Sequence, residues 1–349
     1  MQTIKNLFPK IYDFENLLEA YKAAIKSKRY RPDVMEYADK LEENLFDLQN
    51  NLIWGLYEVG HYHMFYVYEP KKRLIMSLQF KDRVAQHAIY RQLNPLIEKQ
   101  YIKDSYACRV GYGTHAAIDR LQGWMRQTER KPEKYYYLKL DVSKYFYRID
   151  HEILKNILAR QIKDKQLLDL LAKIIDCEDT RFGLPMGADI GDVAFDEMLF
   201  GVGLPIGNLT SQMFANLYLN ELDQYCKHKL RIHYYIRYMD DVIILHNNKK
   251  ELETMIEKDL QEHKIESWRA EILDFANSCM NHRRHTKEEF NNFFKAHDNY
   301  EIYVKENGLE NGCVDAAFKY VEQIYLHCAE TNDFLADEKA EREGDKKCG

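Results

Sequence analysis

The chain of 349 residues has no long hydrophobic run, and its longest apolar stretches fall well short of the roughly 20 residues that a membrane-crossing helix needs. Its N-terminus carries no basic flank followed by a hydrophobic core, so the expectation is a cytoplasmic protein with no leader and no membrane partner. The seven cysteines, at positions 108, 177, 226, 279, 313, 328 and 348, contain no Cys-x-x-Cys pair and no regular framework. They read as thiols in a reducing compartment rather than as disulfides. Seven prolines are too few for a long disordered linker. What is present, 46% apolar and 30% charged residues, describes a globular protein of one large or two ordinary domains.

The formal net charge of −6 conceals an asymmetry. Residues 61–150 carry 17 Lys+Arg against 9 Asp+Glu, whereas residues 251–349 carry 13 against 23. A basic segment interleaved with tyrosines suits a polyanionic partner, because Lys and Arg on phosphates release counterions. Two solvated faces would give the same count, so charge alone leaves both readings open.

Hydrophobic spacing predicts helices over 11–28 and 33–52, then a β-hairpin over 62–79 around Glu69-Pro70-Lys71-Lys72. A helix follows over 82–98. A short strand over 135–140 delivers Asp141 at its end, and helices over 149–161 and 165–176 come next. Residues 176–202 are rich in Gly and Asp and hold a partial echo, Gly183-Leu184-Pro185-Met186-Gly187 against Gly203-Leu204-Pro205-Ile206-Gly207. The second copy enters an apolar helix over 210–229, followed by strands over 232–237 and 242–245. Beyond 249 the pattern is helical and acidic. This irregular mixture indicates an α+β fold rather than a doubly wound parallel sheet.

The sharpest local feature is Tyr238-Met239-Asp240-Asp241, two adjacent acids between two apolar strands. Aspartate also favours hairpin tips for its turn geometry alone, so the tetrapeptide by itself admits a purely structural reading. Asp141, in Leu138-Lys139-Leu140-Asp141-Val142-Ser143-Lys144-Tyr145-Phe146, adds a third carboxylate at a strand end. Carboxylates gathered from separate strand ends can hold two divalent ions for in-line phosphoryl transfer, and Mg²⁺ favours such an oxygen environment. Cys279-x-x-His282-x-x-His285 has ligand types at close spacing but no fourth ligand, which makes a metal site there the weaker reading. His61 and His63 flank a strand and read as surface or core. Asp189, Asp192 and Asp196 follow the first Gly-Leu-Pro echo, which reads as an insertion loop.

Asp141 in DVSKYF, GLPIGNLTSQMFANLYLNELD at 203–223 and YMDD at 238–241 resemble, in order and spacing, the palm motifs of reverse transcriptases. Lys71-Lys72-Arg73-Leu74-Ile75 with Phe80-Lys81-Asp82-Arg83-Val84, and Ser105-Tyr106-Ala107-Cys108-Arg109-Val110-Gly111-Tyr112-Gly113, resemble the fingers motifs, so the likeness covers roughly 30–246. The resemblance implies a right-hand polymerase fold. Its parts would be an N-terminal helical extension (1–60), fingers (61–134), a palm (135–248) with an insertion near 176–202, and a helical C-terminal region (249–349) serving as a divergent or incomplete thumb. It implies Asp141, Asp240 and Asp241 as metal-binding acids, with the backbone carbonyl of Val142 as a further ligand for two Mg²⁺ ions, Mn²⁺ being a possible substitute. It implies Phe146, or alternatively Tyr145, as the ring that excludes a ribose 2′-hydroxyl. Lys72, Arg73 and Arg109 would lie near the triphosphate or template, and Ile206, Ser211 and Gln212 would line the nucleotide pocket.

Retroviral and group II intron enzymes usually have Gln-Gly where this chain has Ile206-Gly207, and intron enzymes have Ser-Pro where it has Ser211-Gln212. The combination present here resembles the reverse transcriptases of diversity-generating retroelements of bacteria and phages. That likeness implies copying of a template-repeat RNA, from a primer and deoxynucleoside triphosphates, into cDNA mutagenised at adenines, with a small accessory variability protein as partner. After YMDD, however, neither the Leu-x-Leu-Asn-x-x-Lys-Thr-like segment nor the Phe-Leu-Gly-Tyr-like primer grip is visible. The alternatives are therefore a catalytically impaired nucleic-acid-binding protein that kept the palm, or a retron or phage-defence type of reverse transcriptase.

Overall fold

A computed structural model of the chain describes residues 3–68, 71–177, 180–185, 188–191, 193–252, 272–273, 275–280, 283–307 and 314–335. The chain divides into two compact units, Met1–Asn247 and Asn248–Gly349. In the first, the helix expected over 11–28 is cut at Asp13. The Asp13 carboxylate accepts the backbone N–H groups of Glu15 and Asn16 (3.1 and 3.4 Å), capping α2 (Phe14–Ala24) and leaving α1 (Phe8–Tyr12) as a separate turn. The helix expected over 33–52 breaks at Lys40 into α3 (Pro32–Asp39) and α4 (Leu41–Ile53). These helices pack around α5 (Phe80–Ile97), where the buried Asn16 amide donates to the carbonyls of Ile11 and Ala88 (2.9 and 3.2 Å).

The predicted hairpin is β1 (His63–Val67) paired antiparallel with β2 (Arg73–Ser77), Phe65 opposite Ile75. Sequence periodicity did not reveal α6 (Thr114–Glu129). Its buried Ala117 and Trp124 alternate with exposed Ile118 and Met125, which blurs the apolar stripe. The central sheet has the order β3 (Tyr136–Asp141), β5 (Asp241–His246), β4 (Tyr234–Tyr238), all antiparallel. Between β3 and β4 lie α7 (His151–Gln161), α8 (Lys165–Asp176) and α9 (Leu209–Gln224), the last continuing as a π-helical turn over Tyr225–Lys229. Asp164 caps α8 through Leu167 N–H (3.4 Å) and also takes the N–H groups of Leu7 and Phe8 (2.8 and 2.9 Å), tying the first helix to the palm side of the core.

The two Gly-Leu-Pro copies lie on one chain segment. Leu184 N–H donates to the Tyr147 carbonyl (3.4 Å), Leu204 N–H to that of Phe146 (2.6 Å) and Gly203 N–H to that of Ile149 (2.8 Å). Gly203 has φ +90°, and a Cβ there would stand 2.6 Å from the Phe182 backbone, so glycine permits the close approach. The first copy supports the second from behind; Met186, Gly187 and Asp192 fall outside the described residues.

The second unit contains helices Lys287–Asn307 and Val314–Thr331 around an aromatic core that includes Phe275, Phe290, Phe293 and Phe318. Thr286 and Glu289 form a reciprocal cap, Thr286 N–H donating to Glu289 (2.7 Å) and Glu289 N–H to Thr286 (3.2 Å). Of the Cys-x-x-His-x-x-His candidate, Cys279 is buried with its thiol pushed up to about 11 by burial, and His285 bonds Ser278 Oγ (2.8 Å). His282 lies outside the described residues. The two residues are absorbed by the core.

Candidate active site

Alternation along β3 ends on the exposed Asp141, and the sheet register sets it opposite Asp241 on β5. The turn joining β4 to β5 holds Met239 in the left-handed region at φ +54°. The Asp240 carbonyl accepts the Val142 N–H (3.3 Å), which fastens the turn to the end of β3. Burial, and then the like charges of Asp141 and Asp241, raise the Asp240 carboxyl above its ordinary value, while Arg73 works against them. Asp241 has a local counterion in Lys139 (3.0 Å). Among the described residues no ion pair reaches Asp141 or Asp240, and no group of three or more His, Cys, Asp or Glu side chains closes on one point.

Tyr145 is buried, and its hydroxyl donates to the Ala215 carbonyl (2.6 Å), whereas the neighbouring Phe146 ring keeps partial exposure. Of the two candidate gate rings, Tyr145 is thus held by α9 and Phe146 is the one open to a ligand. Met76 N–H on β2 donates to the Ile206 carbonyl (2.9 Å), and a Cβ on Gly207 would stand 3.1 Å from Ile75. The Ile206-Gly207 turn is therefore clamped under the fingers hairpin. Ser211 is buried in the first turn of α9, and Gln212 Oε1 accepts from the Cys108 thiol (3.5 Å).

The cations expected near a triphosphate separate into two groups. Arg73 acts on Asp240 electrostatically, and Lys72 lies over the Tyr66 ring (4.6 Å) close to the insertion at Gly191. Arg109 turns inward: it pairs with Glu98 (3.0 Å), donates to the carbonyls of Ile102 and Ser105 (3.0 and 2.6 Å) and stacks over Tyr112 (3.8 Å). The structure thus commits Arg109 to holding the fingers loop. Lys144 pairs with Asp189 of the insertion (2.8 Å), a contact absent from the sequence reading. Also missed was Arg237, fully buried on β4 and paired with the equally buried Asp223 (2.7 Å). Its one signal in the sequence is an arginine in a strand otherwise apolar on both faces.

An antiparallel sheet presenting acids at a strand end and a hairpin turn, with a second hairpin bonded to the turn that leads into α9, is the palm-and-fingers arrangement of a template-directed polymerase. The chain belongs to the reverse transcriptase (RNA-dependent DNA polymerase) family, whose model matches residues 69–272. It is 25% identical over 230 residues to Protein YkfC of Escherichia coli, covering 64% of this chain and 57% of that protein. It is 26% identical over 149 residues to a putative COX1/OXI3 intron 2 protein of Saccharomyces cerevisiae, covering 43% of this chain and 16% of that protein. The chain thus spans little more than half of the first relative and a small part of the second. Among the described residues no helix is long and apolar enough to cross a membrane.

Proposed function

We propose that this chain is an RNA-directed DNA polymerase of the diversity-generating retroelement type, extending a DNA primer on a template-repeat RNA and misincorporating at adenines. The observation that carries the polymerase reading is the pair Asp141 and Asp240, brought together at the end of β3 and the β4–β5 turn and uncancelled by any ion pair among the described residues. Those two carboxylates, with the Val142 carbonyl, would hold Mg²⁺ or Mn²⁺. An open pair of carboxylates suits Mg²⁺, which keeps several waters and takes substrate phosphate oxygens. When bound, such ions supply positive charge to the attacking hydroxyl and to the phosphates. The chain's own residues orient the reactants: Phe146 sits beneath the sugar, Arg73 offsets phosphate charge, and the Ile206-Gly207 turn under β2 fixes the floor of the base pocket.

The retroelement reading rests on Ile206 followed by Ser211-Gln212. An aliphatic side chain offers no donor or acceptor to the incoming nucleotide, which weakens selection of base geometry by hydrogen bonding. The basic 61–150 segment faces the template, an accessory variability protein is the expected partner, and the C-terminal region acts as a divergent thumb. Primer extension on an adenine-containing RNA with Mg²⁺ or Mn²⁺, followed by cDNA sequencing, tests this. Errors should concentrate at template adenines, and Ile206→Gln should lower them about two- to tenfold, the worth of one net hydrogen bond. A wild-type spectrum without adenine bias would remove the retroelement reading and leave the polymerase reading standing.

A further inference from the structure

We propose that Arg237 is the positioning residue of the catalytic turn, holding Asp240 in place by bonding the Met239 carbonyl from inside the protein. The inference rests on the reading of Asp240 as a metal-holding acid. Arg237 has 0% exposure on a strand that is buried on both faces. A buried ion pair is costly to desolvate, and well-packed apolar residues commonly replace one without loss of stability, so packing alone does not explain a charge here.

The guanidinium fork is fully assigned. Nε and Nη2 donate to the two oxygens of Asp223 (2.8 and 2.7 Å), Nη1 to Asn216 Oδ1 (3.1 Å) and Nη2 to Ser105 Oγ (3.2 Å). Nη2 also donates to the Asn216 carbonyl (3.5 Å), and Nη1 donates to the Met239 carbonyl (2.9 Å). Met239 is a non-glycine residue at φ +54°, a strained conformation that persists only where the surroundings impose it. The Arg237 bond supplies that imposition, since its donor lies two residues back on the same rigid strand.

The anchors of the fork lie on two elements besides the turn: Asp223 and Asn216 on α9, and Ser105 on the segment beside β4. Asn216 is on α9, whose first turn bears Ser211 and Gln212, and its amide also donates to the Ala107 carbonyl (2.8 Å). Ser105 belongs to a fingers segment that runs beside β4, with Arg237 N–H donating to Asp104 and Tyr106 N–H to Arg237 (both 3.0 Å). One planar group with donors in fixed directions therefore sets the turn, the helix and the fingers segment in a common frame, which a flexible lysine cannot do.

The test compares Arg237→Met, the double variant Arg237→Met/Asp223→Leu, and Arg237→Lys, by thermal unfolding, steady-state primer extension and Mn²⁺ binding without nucleotide. Arg237→Met should be destabilised, because it leaves Asp223 buried and unpaired. The double variant removes both charges and should regain most of the wild-type midpoint. Its kcat should still be down about a hundredfold, the scale of a misplacement near 1 Å, with KM for the nucleotide nearly unchanged and Mn²⁺ binding weakened. Arg237→Lys, which retains a cation opposite Asp223, should also lose kcat without losing nucleotide affinity. Wild-type kcat and Mn²⁺ affinity in a folded double variant, or in Arg237→Lys should the double variant not fold, would overturn the proposal. Asp240→Asn in the same series separates the two levels of inference, for full activity there would overturn the site reading itself.

Discussion

Asp223 and Asp240 lie on either side of one arginine, and the protein treats them in opposite ways. Asp223 is wholly buried, and Arg237 and the Tyr235 hydroxyl (2.7 Å) satisfy its oxygens. Its charge is cancelled inside the fold. Asp240 is half-buried beside two like charges, and Arg237 reaches past it to the carbonyl of Met239 rather than to its carboxylate. An acid neutralised by its surroundings belongs to the architecture, while an acid left unbalanced in a turn at the sheet's end is available to something that arrives. β4 therefore carries the buried charge of Arg237 and, three residues on in the turn that follows, presents the charge of Asp240, and the difference between the two acids lies in which atoms the guanidinium was given to bind.

The contrast breaks first at the chemical end. Asp240→Asn or Asp141→Asn should lower nucleotide incorporation by about a thousandfold or more, since metal-based charge stabilisation is worth several kcal/mol. The thermal midpoint should stay equal or rise slightly, because a repelling carboxylate has gone. Asp223→Asn should do the reverse, costing about 3–5 kcal/mol by leaving Arg237 partly unpaired in the interior, measured by urea unfolding. Comparable stability loss in both variants would erase the distinction.

A smaller effect concerns the pocket wall. Phe146→Val should raise ribonucleotide incorporation about ten- to hundredfold, the discrimination available from filling or emptying a pocket by small groups. Competition between ribo- and deoxynucleotides on one template reads it directly. Tyr145, bonded to Ala215, should instead show its loss in stability.

The smallest effect is in the pH dependence of the metal-free protein. Burial and neighbouring acids raise the Asp240 carboxyl, and burial raises that of Asp82, which is 0% exposed. A raised carboxyl binds its proton more tightly in the folded state than in the unfolded chain. Its contribution to stability is thus complete below the ordinary carboxylate range and is lost as pH climbs through the folded value. Thermal unfolding should show stability declining over that interval, and Asp240→Asn should flatten part of the slope. A slope unchanged by that substitution would place the raised proton affinity elsewhere.

Local pattern by itself determined much of the polymerase unit. Alternating apolar positions marked β1 and β2, short apolar runs marked β4 and β5, and the acids followed because a strand end and a tight turn fix where Asp141, Asp240 and Asp241 emerge. The motif order carried the family, and α5, α7, α8 and α9 were legible from helical spacing. Other features depended on groups that meet only after folding. The breaks at Asp13 and Lys40 are backbone events within otherwise periodic stretches. That the Tyr145 hydroxyl is tied down depended on a carbonyl 70 residues away. Arg109 could be seen as basic but not as enclosed by Glu98 and Tyr112. Arg237 is the plainest case. A guanidinium is recognisable in any sequence, yet its partners stand 14, 21 and 132 residues distant, and only tertiary packing, which removes water from all of them at once, decides that one of its bonds is to the residue preceding Asp240.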